Sequence, residues 1–309
     1  MIQLDDPGLH HYDRAAGVPL GTLGTARTRD GLTLLTRHWP ALGPDGMPTT
    51  PWARVLLVHG LSEHSGRYER VGGWLAAAGI DAHAYDQRGW GASEGPKGHV
   101  DRWDDYLDDL GERVAALRAL EPRVPVAVYG HSLGGLITTE YALFDAPGRP
   151  RPDAVVLSGA GLLSIYPWWL ITAARVVGRI APRYRPPRSG SGEVLSRDPE
   201  VSRRFAADPY LGRPSSGFGI LGLREQVRAQ RALEALAAEG RPFPIPALVL
   251  HGDEDGLVPF RVVDWFRPLA GADVRPYAGL RHELHNEPEG AAVVADVTAW
   301  LRSRFEEKR

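Results

Sequence analysis

The chain has 309 residues, 43% hydrophobic and 24% charged, with a net charge of −2 at neutral pH, enough for one large α/β domain or a domain carrying an insertion. That charge gives no electrostatic reason to expect nucleic acid. The absence of cysteine excludes disulfides, thiolate metal sites and a cysteine nucleophile together.

Taken in order, residues 1–20 read as a loose leader without the basic head and apolar middle of a signal peptide. Gly24–Arg29 and Leu32–Trp39, joined at Asp30-Gly31, predict a hairpin. Residues 54–58, apolar throughout after Arg54, predict a strand covered on both faces. Val71, Trp74, Leu75 and Ala78 mark a helix stopped by Gly79, and residues 80–85 the next strand, ending at Asp86. Residues 102–119 form an amphipathic helix through Trp103, Tyr106, Leu107, Leu110, Val114 and Leu117. Its acidic Asp101, Asp104, Asp105, Asp108 and Asp109 make a solvated face that suits the positive helix N-terminus, rather than a cation site. Strands follow at 125–129, 153–158, 247–251 and 273–277, and a last helix carries Val294, Val297, Leu301 and Phe305. Alternating strands and helices predict an open, mostly parallel sheet, and residues 160–242 break the alternation as an insertion. No stretch reaches the ~18–20 apolar residues of a membrane span.

Gly130-His131-Ser132-Leu133-Gly134 fits G-x-S-x-G between a β-branched strand and a helix. A strand turning sharply into a helix at a serine is a nucleophile elbow. Side chains at Gly130 and Gly134 would crowd the neighbouring strand and helix. Ligands of open α/β sheets bind beyond the carboxyl ends of the strands, where Asp253, Asp255, His282 and His285 also fall. Ser132, Asp255 and His282 stand in the chain order of G-x-S-x-G hydrolases. In such a set the serine attacks, the histidine takes its proton, and the carboxylate fixes the imidazole tautomer. The backbone N–H groups of Leu61 and Leu133 are the expected oxyanion donors. His282-Glu-Leu-His285 is not a zincin motif, because Asn286 stands where H-E-x-x-H requires histidine, so no metal and no cofactor are expected. His59, Glu63, His64 and Arg67 read as a buried hydrogen-bonded frame for the oxyanion loop. His10, His11, His38, His83 and His99 receive no role.

The run His59-Gly-Leu-Ser-Glu-His-Ser-Gly-Arg-Tyr68 resembles the H-G-x-x-E-H-x-G-R-Y signature of monoacylglycerol lipases. Asp86–Gly95, Gly130–Gly135, Leu195–Pro199 and Gly279–His285 resemble that family too, in order along the chain. The resemblance implies an α/β-hydrolase fold, with 1–159 and 243–309 as core and 160–242 as a helical cap. It places the triad at Ser132, Asp255 and His282, favours Asp255 over Asp253 by its distance from Gly252, and puts the oxyanion donors at Leu61 and Leu133. It implies cleavage of monoacylglycerols or similar single-chain acyl esters. A lysophospholipase or general carboxylesterase would share these residues; an acyltransferase or a non-catalytic small-ligand receptor would also keep them. One departure concerns glycerol recognition: Phe205 stands near where the animal enzymes would have tyrosine. Much of the apolar 162–180 segment is expected to pack as ordinary core, with its remaining face lining an acyl pocket and touching a lipid surface; Arg179, Arg183, Arg185 and Arg188 read as a solvated loop, or as contacts to anionic headgroups where that face meets lipid. The expected setting is therefore cytoplasmic, peripheral at a membrane.

Overall fold

The computed structural model describes residues 2–10, 12, 16–163, 168–187 and 192–307. Eight strands form one sheet: β1 (Thr22–Arg27), β2 (Thr33–Trp39), β3 (Ala53–Val58), β4 (Ile80–Tyr85), β5 (Val126–His131), β6 (Ala154–Ser158), β7 (Ala247–Gly252) and β8 (Ala272–Tyr277). Their order is β1-β2-β4-β3-β5-β6-β7-β8. β1 and β2 pair antiparallel, as does β2 with β4; every later pairing is parallel. This is the α/β-hydrolase fold.

The continuously apolar strands divide their side chains between two cores. In β3, Leu56 and Val58 pack with α2 (Asp104–Leu120) and α3 (Leu133–Leu143), whereas Val55 and Leu57 pack with α1 (Glu69–Ala77) and the C-terminal helix Gly290–Glu306. Strands buried on both faces cannot alternate apolar with polar, which is why the sequence showed runs. Each such Val or Leu contributes about 1.5–3 kcal/mol relative to exposure. Gly79, at φ +79°, ends α1 as the sequence implied, and its N–H donates to Ala76 O at 2.9 Å.

The inserted segment contains α4 (Trp168–Ile180), α5 (Pro199–Ala207) and α6 (Ser216–Ala238); the C-terminal helix is α7. Along α6, Ala229, Leu233 and Leu236 join the core that α2 and α3 cover. Ile165, Pro167 and Arg188 lie outside the described residues.

Two readings change. The leader packs: Leu9 is buried, its carbonyl accepts from Arg37 Nη2 at 2.7 Å, and Tyr12 Oη donates to Asp208 at 2.7 Å. A sequence of low local regularity is held by partners far along the chain. The acidic face of α2 is also ion-paired rather than merely solvated. Arg88 Nε meets Asp109 at 2.6 Å, and Arg149 meets Asp108 and Asp104 at 2.8 and 3.0 Å.

Candidate active site

Ser132 stands between β5 and α3, as the residue before the first turn of α3, at φ 52°, ψ −113°, a conformation that a residue bearing Cβ adopts only under strain. The glycines around it answer the crowding anticipated from sequence. A Cβ on Gly134 would fall within bonding reach of Val58 O and 2.7 Å from His59 O; one on Gly130 would strike Gly134 O and Thr138 Oγ1. The turn is fixed from outside as well. Ser132 N–H donates to Ser158 O at 3.0 Å, and Gly161 N–H donates to Ser132 O at 2.8 Å.

His282 sits in the loop after β8 and Asp255 in the loop after β7. His282 Nδ1 and Asp255 Oδ2 are 2.7 Å apart. The other carboxylate oxygen accepts the N–H groups of Leu257 and Val258 at 2.8 and 2.9 Å. Asp253 instead caps the turn, accepting from Gly279 N–H at 2.6 Å, so the two carboxylates are separated by partner rather than by spacing. The His282 ring lies 4.8 Å from that of His131, the neighbour of Ser132. A Cβ on Gly159 would come within 3.2 Å of His282 Nδ1. Among the described residues Ser132 Oγ and His282 form no hydrogen bond, so the His282–Asp255 pair is assembled near a half-buried serine; hydrogen bonds of this kind are often long in ligand-free structures and tighten with substrate bound.

Burial opposes a charged imidazole, yet the adjacent Asp255 carboxylate outweighs it and holds His282 above its ordinary value. Burial likewise opposes the Asp255 charge, and His282, His251 and the backbone donors overcome it, keeping the carboxyl well below the usual range. His131 and His285 differ: burial, with a second histidine nearby, pushes each down to about 3. Both stay neutral. His285 is enclosed by Tyr68, 5.0 Å away and stacked, and by His131 at 4.9 Å, and among the described residues neither of its ring nitrogens has a hydrogen-bond partner.

The profile of the family described as serine aminopeptidase, S33 (Hydrolase_4) matches residues 49–289. The chain belongs to that family. It is 37% identical over 270 residues to a monoacylglycerol lipase of Mycolicibacterium smegmatis, covering 83% of this chain and 90% of that protein. The structure superposes on a crystal structure of Paleococcus ferrophilus monoacylglycerol lipase with a TM-score of 0.69 at 27% identity, covering 88% and 99% of the two chains. A soluble variant of Saccharomyces cerevisiae monoglyceride lipase gives 0.83 at 21% identity over 95% and 98%, a likeness of fold.

In this serine hydrolase the loop after β3 carries Leu61. Among the described residues neither the Leu61 nor the Leu133 N–H is taken by another protein group, and Leu133 is the first residue of α3, where backbone donors are free by geometry. The Leu61 loop is braced from beneath. Glu63 Oε1 accepts from Gly60 N–H and from Tyr68 Oη, and Glu63 Oε2 pairs with Arg67 Nε at 2.7 Å. Arg67 then reaches Glu283, next to His282, with Nη2 2.5 Å from the carboxylate. His59, also in the frame, accepts from Gln87 N–H at 2.9 Å, and His64 bonds Asp208 of the cap at 2.9 Å. The bracing role expected for His59, Glu63, His64 and Arg67 is the one seen. Glu283, Tyr12 and Asp208 complete it and were not singled out from sequence; only the position of Glu283 beside His282 hinted at a role.

Proposed function

We propose that this chain is a monoacylglycerol lipase in which Ser132 is the nucleophile, His282 the general base and acid, and Asp255 the residue that orients it. The observation that carries the reading is the 2.7 Å His282–Asp255 pair standing beside the strained elbow serine. Ser132 Oγ attacks the ester carbonyl while His282 takes its proton. The N–H groups of Leu61 and Leu133 receive the charge that develops on the carbonyl oxygen; each such donor is worth about 10²–10³ in turnover. His282 then protonates the departing glycerol oxygen, and water activated by the same imidazole releases the fatty acid from the acyl-serine. The chain divides into core (1–159, 243–309) and cap (160–242). The likeness to the mycobacterial enzyme over most of both chains supports the substrate class.

A panel of monoacyl-, diacyl- and lysophospho-glycerides tests this. Monoacylglycerols are expected to turn over fastest. Faster lysophospholipid cleavage, acyl transfer to added glycerol in place of hydrolysis, or binding without turnover would each replace the assignment.

The cap also supports contact with a lipid surface. On α4, Trp169 and Ile180 are 58% and 80% exposed, and Val176 and Val177 are exposed between them. An apolar helix face left in water marks an interaction surface. Among the described residues no helix is long and apolar enough to cross a membrane. Trp169→Ala/Ile180→Ala is expected to lower co-sedimentation with liposomes severalfold; equal partitioning with wild type would remove the lipid role.

A further inference from the structure

At the end of the sheet opposite Ser132, β2 and β4 bring together three side chains that the ester chemistry does not use. His38 and His83 are directly opposed partners of the antiparallel β2–β4 ladder. Asp81 precedes His83 by two residues and therefore shares its face. Their rings stack with centroids 4.3 Å apart and planes 11° from parallel. Both Nε2 atoms aim at one carboxylate: His38 Nε2 is 2.7 Å from Asp81 Oδ1, and His83 Nε2 is 3.1 Å from Asp81 Oδ2. The three ligand atoms lie within 4.8 Å of one another. The side chains are 42%, 17% and 13% exposed for His38, His83 and Asp81, so an ion can reach them from solvent.

We propose that His38, Asp81 and His83 form a binding site for a divalent transition-metal ion of the zinc type, which pins β2 to β4. The donor set decides the class of ion. Two imidazole nitrogens with one carboxylate suit zinc, cobalt, nickel or copper, whereas calcium and magnesium require oxygen ligands. Metal–ligand bonds of about 2.0–2.2 Å around a tetrahedron set the ligand atoms roughly 3.3 Å apart. The two nitrogen–oxygen separations, made to different oxygens of Asp81, need to widen by less than an ångström, and one of the stacked rings must turn so that a single ion lies in both ring planes. The half-exposed His38 ring is free to make that adjustment. Each imidazole would bind as its Nδ1–H tautomer, with water as the fourth ligand. Arg54 Nε stands 3.3 Å from Asp81 Oδ2, and its positive charge opposes the ion and weakens its binding.

The site lies near the start of β4 and the end of β2, whereas Ser132 follows the carboxyl end of β5, so an ion there ties an edge hairpin without touching the ester-cleaving centre. The test is titration of the EDTA-treated full chain with ZnCl2 by calorimetry, with CoCl2 absorption reporting ligand geometry. Wild type is expected to bind one zinc ion at this site, to show the visible bands of four-coordinate cobalt, and to melt a few degrees higher with zinc. CaCl2 and MgCl2 should do none of these. His38→Gln and His38→Gln/His83→Gln should lose the binding and the melting shift while hydrolysing p-nitrophenyl butyrate at the wild-type rate, which shows that they are folded. No saturable binding by wild type, or equal binding and an equal melting shift in the double variant, would overturn the proposal.

Discussion

Ser132→Ala is expected to fold as wild type does and to lose turnover on any ester by about 10⁴-fold or more, the scale seen when the nucleophile of a serine triad is removed. The loss is large because the substitution removes the attacking oxygen itself from the turn where β5 gives way to α3. A small residue of rate should survive, since the N–H groups of Leu61 and Leu133 still polarise a bound carbonyl. The elbow's strain provides a second readout. Ser132→Gly removes the Cβ at φ 52° and should raise the melting temperature above that of Ser132→Ala, while being equally inactive; such strained residues cost on the order of 1–3 kcal/mol. Retention of a tenth of wild-type turnover in either variant would dismiss Ser132 as nucleophile.

Asp255→Asn is expected to lower kcat by about 10⁴-fold, and Asp253→Asn to change it less than twofold. Both replace a carboxylate with an amide in the same loop, so charge alone does not distinguish them; partners do. Asp255 holds His282 Nδ1 at 2.7 Å, whereas Asp253 holds a turn N–H. An amide at 255 can present its NH2 to Nδ1, which favours the tautomer that cannot accept the serine proton. The pH profile gives an independent check. His282 must be neutral to act as base, so kcat/KM falls as pH drops through its pKa, which burial depresses and Asp255 raises above the ordinary value. Removing the carboxylate leaves burial dominant and should move the acid limb of the residual activity to lower pH. An unchanged limb, or equal losses in the two variants, would refute the orienting role of Asp255.

Short-range physics made much of this protein legible. Runs such as Val55-Leu-Leu-Val58 identified the parallel strands, because burial on both faces demands apolar residues without alternation. Gly130 and Gly134 marked the elbow, because a side chain at 130 would strike the turn that follows it and one at 134 would strike the backbone at the end of β3. The break in alternation marked 160–242 as an insertion; the family resemblance read it as a cap and chose Asp255 over Asp253, which composition and periodicity could not.

The amino-acid sequence by itself thus determined the sheet, the elbow and a short set of candidate residues, since those follow from local sterics and hydrophobic periodicity. Folding in three dimensions decided partnership. It gave His282 the carboxylate and left His285 between aromatic rings, linked Glu63 through Arg67 to Glu283, docked the leader through Leu9 and Tyr12, and set His38 opposite His83 across a ladder. Each of these is a contact between segments distant along the chain, with a |i−j| of 216 for Arg67 and Glu283. No periodicity encodes such a pairing, because it depends on where the packed sheet carries each loop.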